Sequence, residues 1–269
     1  MDGDTAGQVS LPSFDSLAAG FGNTCISSRG QVQCWGNGAK SVDGDQPSAT
    51  SGIYQVAVGS NFACGFDTTD TAGVSCWGDN APLIKASPSL SLGSNFDALP
   101  TLSAGLGHVC YALLTTVNCG ANDYGQATAP KSLQVSIGAG KVAAGGHHTC
   151  AIDMAIGVQC WGENKYGQTD VPKDLKNPLG ITSGFGHSCV LDDVGVHCWG
   201  RNDEGQVSVP LLKNPRMVQA GGYHTCAVDD DGVHCWGDNS FGQITVPNTL
   251  GSKISSLATG YLHTCAAVK

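Results

Sequence analysis

The stretch Ala220-Gly221-Gly222-Tyr223-His224-Thr225-Cys226-Ala227-Val228-Asp229-Asp230-Asp231-Gly232-Val233-His234-Cys235-Trp236-Gly237-Asp238-Asn239, closed by Gly242-Gln243 and Val246-Pro247, decides the fold. Two short alternating runs, one carrying His-x-Cys and the other Val-x-Cys-Trp-Gly, flank an Asp/Gly turn, which is the signature of a β-hairpin. A lead-in run ends at Ala-Gly, and a further run follows Gly-Gln and ends near Pro. The unit therefore predicts four short strands.

The same unit recurs along the chain. Cysteines fall in pairs, Cys25 and Cys34, Cys64 and Cys76, Cys110 and Cys119, Cys150 and Cys160, Cys189 and Cys198, Cys226 and Cys235, with Cys265 alone at the end. First members lie 39, 46, 40, 39, 37 and 39 residues apart, which makes seven units across residues 1–269. Trp35, Trp77, Trp161, Trp199 and Trp236 each follow a second cysteine, and all eight His lie in the same hairpin. A period of this length means a radial array or solenoid. Four-stranded units repeated radially predict a seven-bladed all-β propeller, a single domain with few exposed sheet edges.

Composition agrees. Gly reaches 38 residues and charged residues are 13% of the chain, which suits many short strands joined by tight turns. The net charge is −9 and the 13 basic residues are scattered, so nucleic acid is not an expected partner. No apolar run approaches a membrane span, and no basic segment followed by an apolar run opens the chain.

The Gly-x-x-His and Val-x-x-Trp-Gly-x-Asn-x-x-Gly-Gln patterns resemble the regulator-of-chromosome-condensation repeat. The endings Gly167-Gln168, Gly205-Gln206 and Gly242-Gln243, each followed by Val-Pro, look most like its bacterial secreted branch, to which a propeller-type β-lactamase inhibitor belongs. The resemblance implies a structural role for His108, His148, His187, His224 and His263, hydrogen-bonded to backbone near the hub. Units one to three depart from the pattern: Asn23 and Phe62 stand where His is expected, no Gly-Gln follows Trp77-Gly78, and Cys119 is followed directly by Gly120. The stretch from Leu83 to Pro100 reads as an irregular loop.

The final unit stops after its second strand, while Gly7-Gln8-Val9-Ser10-Leu11-Pro12 matches the end of a unit. The N-terminal segment is thus expected to complete the seventh blade. The strand bearing a partner for Cys265 is expected upstream of residue 1.

A nine-residue spacing places paired cysteines directly opposite one another in a tight hairpin, close enough for a cross-strand disulfide. Zinc is the rival reading of His-x-Cys, but no Cys-x-x-Cys spacing supplies the remaining ligands of a tetrahedral site. Six disulfides would imply an oxidising compartment: periplasm, cell surface or medium.

No nucleophile elbow, phosphate loop or zinc-protease motif is present, and no cofactor or catalytic residue is expected. Asp192, Asp193 and Asp229 to Asp231 fall in hairpin turns, where turn chemistry explains them. The loops of one face carry Phe21, Leu106, Tyr124, His147, Tyr166, Phe185, Tyr223, Phe241, Tyr261 and Leu262; the loops of the other read as Asp, Gly, Lys and Pro. Aromatic loops on a rigid scaffold favour a binding surface. The expected function is a non-catalytic extracytoplasmic recognition or adhesion module for a protein or cell-surface glycan. An inhibitor of an extracytoplasmic hydrolase and a multivalent lectin are the alternatives. Guanine-nucleotide exchange, known in nuclear members of the family, fits poorly with disulfides.

Overall fold

A computed structural model describes residues 16–36, 52–67, 73–78, 101–113, 115–120, 123–135, 141–248, 250 and 253–268. All of its regular structure is β, and among these residues no helix is long and apolar enough to cross a membrane. The N-terminal segment, the stretch Leu83 to Pro100 and the tail of unit one lie outside the described residues.

Seven antiparallel sheets follow one another along the chain. Their first strands are Ser16–Ala19, Ile53–Val58, Thr101–Ala104, Val142–Ala144, Gly180–Ser183, Met217–Ala220 and Ile254–Thr259. The second strands, Asn23–Ser28, Phe62–Asp67, Val109–Leu113, His148–Asp153, His187–Leu191, His224–Val228 and Thr264–Val268, carry the first cysteine of each unit. Sheets one to six add a third strand with Cys-Trp-Gly or its variant: Gln31–Gly36, Val74–Gly78, Thr116–Gly120, Gly157–Gly162, Val196–Gly200 and Val233–Gly237. Sheet seven has two strands among the described residues.

The ring closes through backbone. At the turn after each first strand, an N–H donates to a carbonyl of the next sheet: Phe21 to Gly59, Ser60 to Leu106, Leu106 to Gly145, Gly146 to Gly184, Phe185 to Gly222, Gly222 to Gly260, and Tyr261 back to Gly20. These contacts need bare glycine. A Cβ on Gly145 would lie 2.6 Å from the Gly184 carbonyl oxygen and 2.4 Å from the His148 ring.

The expected fourth strand is not formed in units four, five and six. Their Gly-Gln tails are turns, because side chains rather than a neighbouring strand satisfy the backbone. The Gln168 carbonyl, for example, accepts from Trp199 Nε1 (3.0 Å) and Ser188 Oγ (3.0 Å) of the next sheet, while Gln168 Oε1 accepts the Tyr166 N–H (2.8 Å). With its groups committed in this way, the segment has no ladder to offer.

The core lies between neighbouring sheets. Trp77 packs over the Cys25–Cys34 bridge, Trp161 over Cys110–Cys119, and Trp199 over Cys150–Cys160. The six expected disulfides are formed, each between residues in direct register with Cα atoms 4.0–4.1 Å apart. The sulfurs of Cys110, Cys150, Cys189 and Cys226 are consumed in this way, so the His-x-Cys of units three to six is not a zinc-ligand pair. Cys265 is the free thiol among the described cysteines.

Candidate recognition face

The two residues between each hub glycine and the following His, or its replacement, set the chemistry at one end of the ring. The first place holds Phe21, Ser60, Leu106, Gly146, Phe185, Gly222 and Tyr261, all lining a central, solvent-open cavity of about 80 Å3 with the hub glycines. The second holds Gly22, Asn61, Gly107, His147, Gly186, Tyr223 and Leu262. In five of the seven pairs one residue is glycine and the other large, and this gives the rings somewhere to lie. A Cβ on Gly146 would sit 3.1 Å from Phe185 Cδ2, and one on Gly222 would sit 2.8 Å from Tyr261 Cδ2.

The rings form a continuous chain. Tyr124 lies 4.4 Å from His147 between centroids, His147 lies 6.1 Å from Phe185, and Phe185 lies 5.5 Å from Tyr223 and 5.9 Å from Tyr261. Tyr223 and Tyr261 are 5.4 Å apart, and Tyr261 Oη donates to Tyr223 Oη at 3.1 Å. Phe21, 4.5 Å from Tyr261, ends the chain. Burial, and then this hydrogen bond, push the Tyr261 phenol well above its ordinary range, so that hydroxyl is neutral at any physiological pH. Tyr166 joins through Arg201, whose guanidinium lies 4.9 Å from the Tyr166 centroid and 4.8 Å from that of Tyr223.

The cluster thus brings together Phe21, Tyr124, His147, Tyr166, Phe185, Tyr223 and Tyr261. Leu106 lines the cavity without entering the ring chain. Phe241 is exposed, Leu262 is half-buried, and neither makes a ring contact with the cluster. Sequence reasoning missed Arg201. Its signal was the place after Trp-Gly, where units four and six have Glu163 and Asp238 and unit five alone of the three has a cation.

The five histidines do sit at the hub, and each pairs with a hydroxyl of the next sheet. His108 Nε2 pairs with Thr149 Oγ1 (3.0 Å). His148 with Ser188, His187 with Thr225, His224 with Thr264 and His263 with Thr24 follow, each at 2.9 Å. In the first four, the hydroxyl donates onward to a glutamine carbonyl: Gln126 (2.8 Å), Gln168 (3.0 Å), Gln206 (2.8 Å) and Gln243 (2.9 Å). A hydroxyl that has spent its proton can only accept from the ring, so Nε2 carries a hydrogen, and burial keeps the imidazole neutral. Burial pushes His148 and His187 down to about 3, and His108 and His224 down to about 4. These rings are cement, not acid–base groups.

The far face is less polar than its sequence reads. Met154 and Ile156 at the hairpin tip of sheet four, Val194 at that of sheet five, and Leu179 and Leu211 in the connections are all exposed. The turn aspartates beside them are buried: Asp192 accepts the Lys176, Val194 and Gly195 N–H groups, and Asp229 accepts those of Lys213, Asp231 and Gly232. Inward-turned carboxylates leave apolar side chains at these tips.

Units five and six match a known family. Residues 180–206 and 218–243 fit the Regulator of chromosome condensation (RCC1) repeat. Similar solved structures share the fold across almost the whole chain. The CRINKLY WD40 ectodomain of the Arabidopsis thaliana receptor kinase ACR4 is 23% identical, with 94% of this chain and 92% of that one covered at a TM-score of 0.69. The entire ectodomain of the Physcomitrella patens receptor kinase CR4 is 24% identical, with coverage of 96% and 71% and a TM-score of 0.72. Prp20p of Saccharomyces cerevisiae, described with its binding to Gsp1p and histones, is 17% identical, with coverage of 93% and 81% and a TM-score of 0.68. The RCC1-repeat resemblance therefore extends to the architecture: an all-β propeller.

Proposed function

We propose that this protein is a non-catalytic recognition module of an oxidising compartment, which binds a protein partner through its aromatic face. The observation that carries the reading is the continuous chain of half-exposed rings from Tyr124 to Phe21, held over the hub by disulfide-bonded sheets. Tyr and Phe with few rotatable bonds, fixed on a rigid scaffold, are the groups that form binding hot spots. Six disulfides support an extracytoplasmic location. The receptor-kinase ectodomains support the extracytoplasmic reading, and Prp20p, described with its binding to Gsp1p and histones, supports use of the same fold in protein recognition. We read residues 1–269 as one seven-bladed propeller domain, each sheet being the inner part of a blade and the N-terminal segment completing the seventh. Its bacterial affiliation rests on the Gly-Gln…Val-Pro endings.

A lectin is less favoured. Multivalent sugar binding needs similar clefts around the ring, whereas Ser60, Gly146 and Gly222 hold first places where Phe21, Phe185 and Tyr261 stand elsewhere. A hydrolase inhibitor is a special case of the protein-binding reading. Immobilised protein exposed to envelope or cell-surface extracts should retain a protein that the Tyr223→Ala variant does not. Retention by both alike, or strong signal on a glycan array with no protein retained, would reject the reading. A β-lactamase inhibition assay isolates the special case.

A further inference from the structure

The place directly after Trp-Gly follows a rule in two sheets and breaks it in the one between them. In sheet four Glu163 accepts from Gln168 Nε2 (3.4 Å), and in sheet six Asp238 accepts from Gln243 Nε2 (2.8 Å). Each carboxylate satisfies the amide of a buried glutamine whose Oε1 is already held by a backbone N–H. Sheet five has Arg201, and a guanidinium has no acceptor to offer. Gln206 is fully buried, and its Oε1 accepts the Glu204 N–H (3.0 Å). Its Nε2 has no acceptor among the described residues. A buried donor left without its partner is a local inconsistency of the kind found at functional positions.

Arg201 is meanwhile fixed in a different task. Its guanidinium is stacked between Tyr166 and Tyr223, and its Nε donates to Asp203 Oδ2 at 2.6 Å. Gly186 makes room for the stack, since a Cβ there would lie 3.2 Å from Tyr166 Cδ2 and 3.4 Å from Arg201 Cβ. Lys165 Nζ lies 5.3 Å from the centroid of the same Tyr166 ring, so two cations converge there in a chain of net charge −9. Asp203 is 62% exposed, and an ion pair that open to water adds too little stability to account for the orphaned amide. Held at both faces and at Nε, the arginine keeps its two Nη atoms as uncommitted donors. A planar fork of that kind, fixed in advance, matches a carboxylate.

We propose that Arg201 receives a carboxylate from an acidic side chain of the protein partner, at the place where sheets four and six keep a carboxylate of their own. Gln206 Nε2, buried behind this place, is the donor left unpaired where arginine stands for the carboxylate of sheets four and six. Tyr223 and Phe185 take the apolar part of the same partner segment. The assignment rests on the aromatic-face reading but is tested separately from it, with benzoate as the probe because it joins a carboxylate to a ring.

Titration followed on the backbone N–H signals of the aromatic face, which every variant keeps, should show saturable benzoate binding, weakened about tenfold or more in Arg201→Gln. Arg201→Glu should abolish binding and raise the melting temperature, because Gln206 regains an acceptor. Unchanged binding in Arg201→Gln, no binding at all, or a lowered melting temperature in Arg201→Glu would overturn the proposal. Benzamide binding as well as benzoate would overturn it while leaving the aromatic face standing. Inorganic phosphate binding more tightly than benzoate would overturn the carboxylate assignment. Loss of benzoate binding in Arg201→Gln, alongside partner capture indifferent to Tyr223→Ala, would keep the anion site and reject the face reading.

Discussion

Nε2 of His148 lies 2.9 Å from Oγ of Ser188, forty residues further along the chain and one sheet around the ring. That hydroxyl passes its own proton to the Gln168 carbonyl, so a single relay ties the hub of sheet four, the tail of unit four and the second strand of sheet five. The ring is therefore clamped by neutral imidazoles, and its stability is linked to their protonation.

Acid should loosen it in a defined window. An unfolded histidine titrates near 6.5, whereas His148 and His187 are held down at about 3 and His108 and His224 at about 4. The unfolded chain binds more protons throughout that interval, so this contribution is fully present above pH 6.5 and is lost as pH falls toward 3. Linkage gives a loss of roughly 1–2 kcal/mol per buried histidine by pH 5. Urea denaturation at pH 7 and pH 5 should show the drop, and equal midpoints would contradict the neutral clamp. The turn carboxylates Asp153, Asp192 and Asp229 are held below their ordinary range against the cost of burial by hydrogen bonds, so their contribution fails only at lower pH.

The hydroxyl carries the relay. Thr225→Val removes the acceptor of His187 and should cost about 1–3 kcal/mol, because a buried donor loses its partner. Thr225→Ser should be close to neutral, since Ser188 does the same work one sheet earlier. Equal losses in the two variants would show that packing, not the hydroxyl, matters.

Covalent bracing is the third expectation. Thiol titration of the unfolded, unreduced protein should find about one free group, Cys265, from thirteen cysteines and six bridges. Each bridge closes a short loop and contributes about 2–3 kcal/mol by the chain-entropy model, so reduction should lower the melting temperature sharply. Finding three or more free thiols would break the assigned pairing.

At the far face, Asp229→Ala should cost about 2 kcal/mol or more, because it strands the Lys213, Asp231 and Gly232 N–H groups and His234 Nε2. Asp230→Ala should stay within about 0.5 kcal/mol, since its carboxylate meets only the exposed Asn214 amide and solvent. The reverse order, measured by denaturant midpoint, would contradict the turn assignment.

The seven units and six bridges were legible because a disulfide demands opposed register, and register writes itself as a nine- to twelve-residue spacing. The fourth strand was misread because Gly-Gln and Val-Pro mark a segment boundary without saying where its backbone bonds go. Trp236 Nε1 and Thr225 Oγ1 take the Gln206 carbonyl, and both come from the next unit. The relay was also written in the sequence. Each of the five hub histidines is followed, one unit on, by Thr or Ser after the equivalent position. Ala63 and Val109, which lack a hydroxyl, follow the units with Asn23 and Phe62 in place of His. That pairing shows only when neighbouring units are compared. Arg201 was hidden for a related reason: its meaning lies in the acceptor it fails to give Gln206.

The recognition face itself is tested most directly by comparing affinities of the captured partner for the wild type, Tyr223→Ala and Asp230→Ala, each checked for an intact fold. Tyr223 stands among Phe185, Tyr261 and Arg201, whereas Asp230 lies in a turn at the other end of its strand. Loss of an aromatic anchor costs about 2 kcal/mol or more, roughly thirtyfold in affinity, so Tyr223→Ala should weaken binding by that factor and Asp230→Ala should leave it unchanged. Weakening by Asp230→Ala with Tyr223→Ala unaffected would place the partner on the opposite face and contradict the account.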